Sequence, residues 1–236
     1  MIWAVVIILV VFLILALSIA TYSGAQLKDI YEKYNAEPCF AKITGGQFAL
    51  MVAEKITGNK IRVVRTAGVL TDAYSTRSKT VVISDETCET ASVASLTIVA
   101  HEFGHALQDL TNSKKLKLNR TLTKTTKILG YFMMPLALIG LFIALVFSDL
   151  YVVGIVLLAL SAVIFLIALL LKFLTIPLER DASRKGMKIL RDLKIMEEDE
   201  LKMARELLRA ALLTYIGDFL RAILWWTFLT RKTKMF

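Results

Sequence analysis

Long apolar blocks separated by polar ones make up the chain, and the apolar blocks predict membrane helices. Residues 1–26 carry no charge and are almost entirely aliphatic up to residue 20. A helix of about 20 apolar residues can cross a bilayer, so we expect a transmembrane helix here. The first basic residue, Lys28, follows the apolar run, whereas a cleaved signal peptide carries its basic residues before the run. We therefore predict an uncleaved N-terminal helix.

Two further uncharged runs, 128–147 and 150–171, are separated by a very short polar link. Each run is long enough to span a bilayer, and the short link predicts a transmembrane hairpin. The last block, residues 210–236, is apolar up to residue 230 but contains Asp218 and Arg221 and ends in a basic tail. Charged residues in a membrane helix usually face other protein, so we expect a packed C-terminal helix that does not cross cleanly.

The polar blocks, residues 27–127 and 172–209, are predicted to lie outside the membrane. In the first block, β-branched residues at 61–65 and 80–84 predict two strands. Apolar residues at helical spacing predict a helix over 92–110. The second block is predicted to form one polar helix. The expected fold class is a mainly α-helical membrane protein with transmembrane helices and a small α+β region.

Composition agrees with a membrane protein. Of the 236 residues, 56% are hydrophobic, and the mean hydropathy is +0.62, which is too apolar for an ordinary soluble domain. The net charge of +9 could indicate nucleic-acid binding, but no aromatic-basic motif accompanies it. We attribute the charge to cationic loops that face anionic lipid, with no nucleic-acid partner. Cys39 and Cys88 do not make a disulfide framework and are interpreted as packed or incidental thiols.

The candidate chemistry lies in the sequence His101-Glu102-Phe-Gly-His105, which contains both histidines of the chain. Residues four apart on a helix project from the same face, so two imidazoles can hold one zinc ion while the glutamate reaches a water on the metal. This is the pattern of zinc peptidases. We estimate that it arises by chance in roughly one chain of this length in a few hundred. The expected catalytic region is therefore zincin-like.

A zinc peptidase needs a third protein ligand and an open fourth position. The chain has no third histidine, so an Asp, Glu or Cys must supply it. Two predicted spans separate His105 from Glu179, and an even number of crossings returns the chain to the same side of the membrane. Glu179 and Asp181 are the competing candidates. They point in nearly opposite directions on a helix, so one of them can bind and the other cannot. The alternative is that Glu179 is simply a solvated acid at a helix terminus.

Five segments carry a resemblance to a known family: 72–74, 80–84, 100–108, 176–184 and 211–215. With these segments, and over nearly its whole length, the chain resembles the YugP-like membrane zinc metallopeptidases. The resemblance implies zinc held by His101, His105 and Glu179, with Glu102 as the general base. More distantly, the chain is similar to the HtpX-type peptidases and to the thermolysin-like group with a glutamate third ligand, the gluzincins. In those groups an acid four residues after the third ligand supports a histidine, whereas here Ser183 occupies that position and Asp181 is the nearer acid.

The expected activity is zinc-dependent endopeptidase hydrolysis of a polypeptide at a lipid membrane. Zinc lowers the pKa of its water towards roughly 7 and polarises the scissile carbonyl, while Glu102 transfers the proton. The strand over 81–83 could pair with an extended substrate, or it could be a simple core strand. Tyr215 is a candidate to stabilise the oxyanion, although a tyrosine that only packs is the more common case.

Three rival functions come from other classes. A non-catalytic zinc-binding scaffold or sensor would keep His101, His105 and Glu179 without needing Glu102. A site-two-type protease would place the histidine motif inside a transmembrane helix, but the acidic cluster at 85–89 lies close before it. A transporter would need several charged residues within the spans. Only Asp218 and Arg221 lie within a candidate span, so a transporter fits the sequence least.

The distribution of basic residues predicts the orientation. Residues 114–127 and 172–191, on either side of the predicted hairpin, are rich in Lys and Arg, and the hairpin tip contains neither. Positively charged flanks usually stay in the cytoplasm. We therefore expect a multi-pass protein of the cell membrane whose catalytic region faces the cytoplasm.

Overall fold

The structure is a computed structural model that describes residues 2–111 and 114–224. It is 74% helical with a small mixed sheet of three strands, which confirms a mainly α-helical protein. The helices are α1 Ile2–Asn35, α2 Gly45–Lys55, α3 Asp85–Glu89, α4 Val93–Leu110, α5 Lys114–Val146, α6 Tyr151–Phe173, α7 Ile176–Asp192 and α8 Glu198–Leu224. The strands are β1 Arg62–Thr66, β2 Ala73–Ser75 and β3 Thr80–Ser84.

These elements form two compact units. Of the described residues, the apolar unit comprises 2–22, 117–176 and 214–224. The polar unit comprises 23–111, 114–116 and 177–213. Residues 225–236, which include the predicted basic tail, lie outside the described residues.

The apolar unit contains the predicted hairpin. Among the described residues, two helical stretches are long and apolar enough to cross a membrane, Thr121–Val146 and Ser148–Asp192. A 3-10 turn joins α5 to α6 and keeps the link short. Gly140 and Gly154 let the two helices approach closely, since a Cβ on Gly154 would lie 2.7 Å from the carbonyl oxygen of Gly140. Small residues of this kind bring membrane helices into backbone contact.

The sheet of the polar unit has the order β1-β3-β2. Strand β3 lies in the middle, parallel to β1 and antiparallel to β2, with Val81 opposite both Val63 and Tyr74. Both edges of β3 are therefore paired over Thr80–Val82. Its interpretation as a core strand is confirmed. The idea that residues 81–83 pair with substrate is wrong for Val81 and Val82, because β1 and β2 occupy both edges there.

Helices α2 and α4 pack with β3 around one hydrophobic core. Phe48, Val52, Leu96 and Phe103 are among the side chains fully buried in it. Local signals in the sequence fix where these helices start. The hydroxyl of Thr44 accepts a hydrogen bond from the Gln47 backbone, and the Gln47 side chain accepts one from the Thr44 backbone. This reciprocal pair satisfies two backbone N–H groups that a helix start leaves open.

The single polar helix expected over 172–209 is wrong. Helix α7 ends at Asp192 and α8 begins at Glu198. Lys194 between them has a φ of 52°, a left-handed conformation that ends a helix. The turn buries Ile195 and Met196 in the core, and that burial offsets the cost of a non-glycine residue at positive φ.

Phe48→Ala should destabilise the polar unit strongly, because it removes a fully buried ring from the core. Such truncations cost about 3–5 kcal/mol. Thermal unfolding in detergent, followed by circular dichroism, would measure the loss.

Phe40→Ala is the matched control, since its side chain is 61% exposed and the change should be within about 0.5 kcal/mol. Equal effects of the two substitutions would contradict the placement of the core.

Candidate metal centre

Two helices of the polar unit supply the three candidate ligands. His101 and His105 lie one turn apart on α4, and Glu179 lies in the first turn of α7. The two imidazole rings meet edge to face, with centroids 4.8 Å apart. Glu179 is 5% exposed, and both histidines are partly exposed. The three side chains therefore form a buried cluster with an approach from solvent on the histidine side.

The carboxylate oxygen of Glu179 lies close to each imidazole at a spacing near that of zinc ligands. Oε2 of Glu179 lies 3.2 Å from Nε2 of His105 and 3.7 Å from Nε2 of His101. One ligand atom from each residue lies within 4.8 Å of the other two. Tetrahedral zinc with bonds of about 2.0–2.2 Å places its donors roughly 3.3–3.6 Å apart. Two imidazole nitrogens and a carboxylate are also donors that zinc accepts, so these residues fit the metal.

Two glycines bring the ligand-bearing helices together. A Cβ on Gly104 of α4 would lie 2.2 Å from the carbonyl oxygen of Ala182 on α7. A Cβ on Gly186 of α7 would lie 2.7 Å from the carbonyl oxygen of Ala100 on α4. Each helix thus presents a glycine to the backbone of the other. The sequence analysis did not detect this contact, although glycines are the signal for a close approach of backbones.

The other ring nitrogen of each histidine also has a partner. Nδ1 of His101 lies 3.3 Å from the hydroxyl of Ser183, and Nδ1 of His105 lies 3.2 Å from Oε1 of Gln108. Hydrogen bonds of this kind orient metal-binding imidazoles. Sequence reasoning assigned no role to Gln108. Its spacing of three residues from His105 on one helix was the available signal.

Electrostatics in the cluster favour a charged pair when no metal is bound. Burial raises the pKa of Glu179, but hydrogen bonds to His101 and His105 outweigh it and hold the pKa well below its usual range. Burial likewise lowers the pKa of His105, but the hydrogen bond to Glu179 and its charge outweigh burial and raise that pKa to about 9. The anion of Glu179 therefore persists across the neutral pH range and is ready to receive a cation.

Glu102 lies next to His101 on α4 and is 8% exposed. Burial raises its pKa, and the charges of His101 and His105 act in the opposite direction. The chain thus holds a second buried carboxylate beside the cluster. Its role as a base stays a prediction.

Two candidates from the sequence remain, Asp181 and Tyr215. Oδ2 of Asp181 lies 2.9 Å from Nζ of Lys185 and 2.9 Å from Nε2 of Gln108. Among the described residues, the group that could hold a metal contains Glu179 and not Asp181. Tyr215 lies on the part of α8 that belongs to the apolar unit, and its role stays a prediction.

A family model and a protein of Bacillus subtilis match most of the chain. A family model described as "Putative neutral zinc metallopeptidase" matches residues 7–231. The chain is also 25% identical over 204 residues to "Putative membrane protease YugP" of Bacillus subtilis (strain 168), an alignment that covers 86% of this chain and 87% of that protein. No solved structure matches the chain.

Gly104→Ala should weaken metal binding, because the added methyl group would collide with the Ala182 carbonyl and push α7, with Glu179, away from α4. We expect zinc affinity to fall roughly tenfold or more, the range found when the support of a ligand is lost. Competition with a chelating dye would measure it.

The matched control is Gly130→Ala, in a helical glycine of α5 whose added Cβ would meet nothing within 4 Å. That variant should bind zinc like the wild type. Unchanged affinity in Gly104→Ala would show that the two helices do not depend on this contact.

Zinc affinity should rise with pH between pH 7 and about 9. Below the pKa of His105, about 9, its imidazole carries a proton that must leave before the nitrogen can bind a metal. Glu179 stays ionised over this range, so one proton is displaced and the affinity should change roughly tenfold per pH unit. Chelator competition at pH 7, 8 and 9 would test this, and an affinity independent of pH would contradict the His105–Glu179 pairing.

Proposed function

The chain belongs to the family of neutral zinc metallopeptidases, and from that membership we propose that it is an integral-membrane, zinc-dependent endopeptidase with a zincin-like site. His101, His105 and Glu179 hold the metal, and Glu102 is the general base. The observation that carries this proposal is the meeting of two imidazoles and a buried carboxylate with their ligand atoms within 4.8 Å of one another.

Zinc, when bound there, acts as a Lewis acid that lowers the pKa of a water and polarises a peptide carbonyl. The chain's own residues do the rest. Glu102 takes a proton from the attacking water and delivers it to the leaving amine. Its burial supports this role, because a carboxyl group with a raised pKa binds and releases protons nearer to neutral pH. Ser183 and Gln108 hold the imidazoles in place.

The substrates we propose are polypeptides at or near a membrane. The relative from Bacillus subtilis is named "Putative membrane protease YugP". Within residues 2–111 and 114–224 of this chain, two helical stretches are apolar enough to span a bilayer. The partly exposed edges of His101 and His105 leave room for a peptide carbonyl to approach. A simple scaffold or sensor would use the same three ligands and gain nothing from a buried acid at Glu102.

We also propose a multi-pass arrangement in the cell membrane with the polar unit in the cytoplasm. It is supported by the Lys- and Arg-rich segments on both flanks of the hairpin and by the positive-inside rule. Helix α1 and the hairpin α5–α6 would cross the bilayer, with the hairpin tip outside.

Glu102→Gln should abolish most peptidase activity while zinc stays bound. Glutamine keeps the shape of the side chain but cannot accept the proton, and general-base catalysis is worth about 10²–10⁴-fold. Hydrolysis of an unfolded polypeptide in detergent would be measured together with zinc content.

Glu179→Ala is the companion variant and should lose zinc as well as activity. Equal cleavage by wild type and Glu102→Gln would show that the activity comes from another site or from a contaminant. If the wild type holds zinc and cleaves nothing across a broad peptide library, the scaffold or sensor function replaces the enzyme.

Sidedness can be tested with single cysteines in a background without Cys39 and Cys88. Leu50→Cys lies on an exposed position of the polar unit, and a membrane-impermeant thiol reagent should label it only after intact cells are permeabilised. Asp149→Cys at the hairpin tip is the matched variant and should be labelled in intact cells. The reverse pattern would invert the orientation.

A further inference from the structure

Gln108 is the polar side chain most deeply buried beside the metal cluster. It lies on α4, three residues after His105, and is 1% exposed. Its amide makes three contacts. Oε1 lies 3.2 Å from Nδ1 of His105, and Nε2 lies 2.9 Å from both the carbonyl oxygen of Leu178 and Oδ2 of Asp181. A buried amide with all of these partners is held in one position.

The partners of Gln108 determine which way its amide faces. A carbonyl and an ionised carboxylate can only accept hydrogen bonds, so the amide nitrogen must face Leu178 and Asp181. The amide oxygen then faces His105, and it too can only accept. Nδ1 of His105 must therefore carry a hydrogen. In a neutral imidazole, Gln108 thus favours a lone pair on Nε2. The Glu179 carboxylate, 3.2 Å from Nε2, favours a hydrogen there until a metal takes that place.

Asp181 is itself anchored on α7. The ammonium of Lys185 donates to the same Oδ2 atom at 2.9 Å, and the guanidinium of Arg184 lies 4.0 Å from the other oxygen. These two cations keep Asp181 as an acceptor. A chain of hydrogen bonds thus runs from Lys185 through Asp181 and Gln108 to His105, and it crosses from α7 to α4 beside Glu179.

We propose that Gln108 is a positioning residue that fixes the Nδ1–H tautomer of His105 and ties the start of α7 to α4, with Asp181 as its anchor. The inference rests on the proposed function, in which His105 binds the metal through Nε2. It also gives Asp181 a purpose other than metal ligation. A neutral amide performs this task without adding a further negative charge beside Glu102 and Glu179.

Two substitutions of similar size, glutamate and methionine, test the hydrogen bonds of Gln108. Gln108→Glu keeps an acceptor for His105 but loses the donor to Leu178 and places two carboxylates against each other at Asp181. Gln108→Met fills the same space but offers no acceptor to His105 and no donor to Leu178 or Asp181. Both variants should bind zinc roughly 10–100-fold more weakly, the usual range for loss of a ligand's hydrogen-bond partner. Asp181→Asn added to Gln108→Glu restores a donor–acceptor pair and should recover part of that loss.

The tautomer gives a readout that a merely structural role would not move. The chain has two histidines, so ring-¹⁵N-histidine labelling yields few signals, and His101→Ala assigns them. In the metal-free Glu179→Ala protein, which lacks the carboxylate that competes for a hydrogen on Nε2, the protonated nitrogen of neutral His105 should be Nδ1. When Gln108→Met is added to that protein, it should become a mixture of Nδ1 and Nε2. Lys188→Met, an exposed cation on α7, is the control that should change neither tautomer nor affinity.

The outcomes separate this proposal from the peptidase function. Protonation of Nε2 in metal-free Glu179→Ala, or an unchanged tautomer on adding Gln108→Met together with wild-type zinc affinity in Gln108→Met alone, would overturn the role of Gln108. If Gln108→Met does not fold, the Gln108→Glu and Asp181→Asn pair decides the question, and strictly additive effects would refute the coupling. Since neither readout needs peptide cleavage, a chain that binds zinc without hydrolysing peptides would fail the proposed function and still test Gln108.

Discussion

The contact between α4 and α7 is the constraint on which the candidate site depends. The two helices touch through Gly104 and Gly186, each set against a backbone carbonyl of the other helix. Packing this close is available only where a Cβ is missing. It brings the carboxylate of Glu179 to the imidazoles of α4, although the predicted membrane hairpin separates the two segments in sequence.

Close packing also buries two carboxylates whose negative charges must be compensated. Glu179 and Glu102 are both buried, and a buried carboxylate is costly unless a cation or hydrogen-bond donors compensate it. His105 compensates Glu179 in the metal-free protein, with a pKa raised to about 9. A divalent cation would replace that proton and compensate both acids at once. Burial of these two carboxylates is therefore unfavourable without a cation, and it favours the binding of a metal ion.

Several features could be predicted because they depend on neighbours in sequence. The hairpin, the capping pair of Thr44 and Gln47, and strand β3 all follow from local patterns and agree with the structure. The polar helix expected over 172–209 was wrong for the opposite reason. Its break at Lys194 is stabilised by burial of Ile195 and Met196 in a core that distant elements build.

The candidate site likewise combines features set by neighbours in sequence with features set by contacts between distant segments. The sequence by itself determined that His101 and His105 share one face of a helix, because helical spacing is a property of the chain's own backbone. It left Glu179 and Asp181 as rivals and gave Gln108 no role. Only the tertiary structure decided where these side chains lie, because the rotation of α7 against α4 turns Glu179 towards the imidazoles and Asp181 towards Gln108. That rotation is fixed by where Gly104 and Gly186 meet the opposite backbone, a contact between distant segments that local spacing does not reveal.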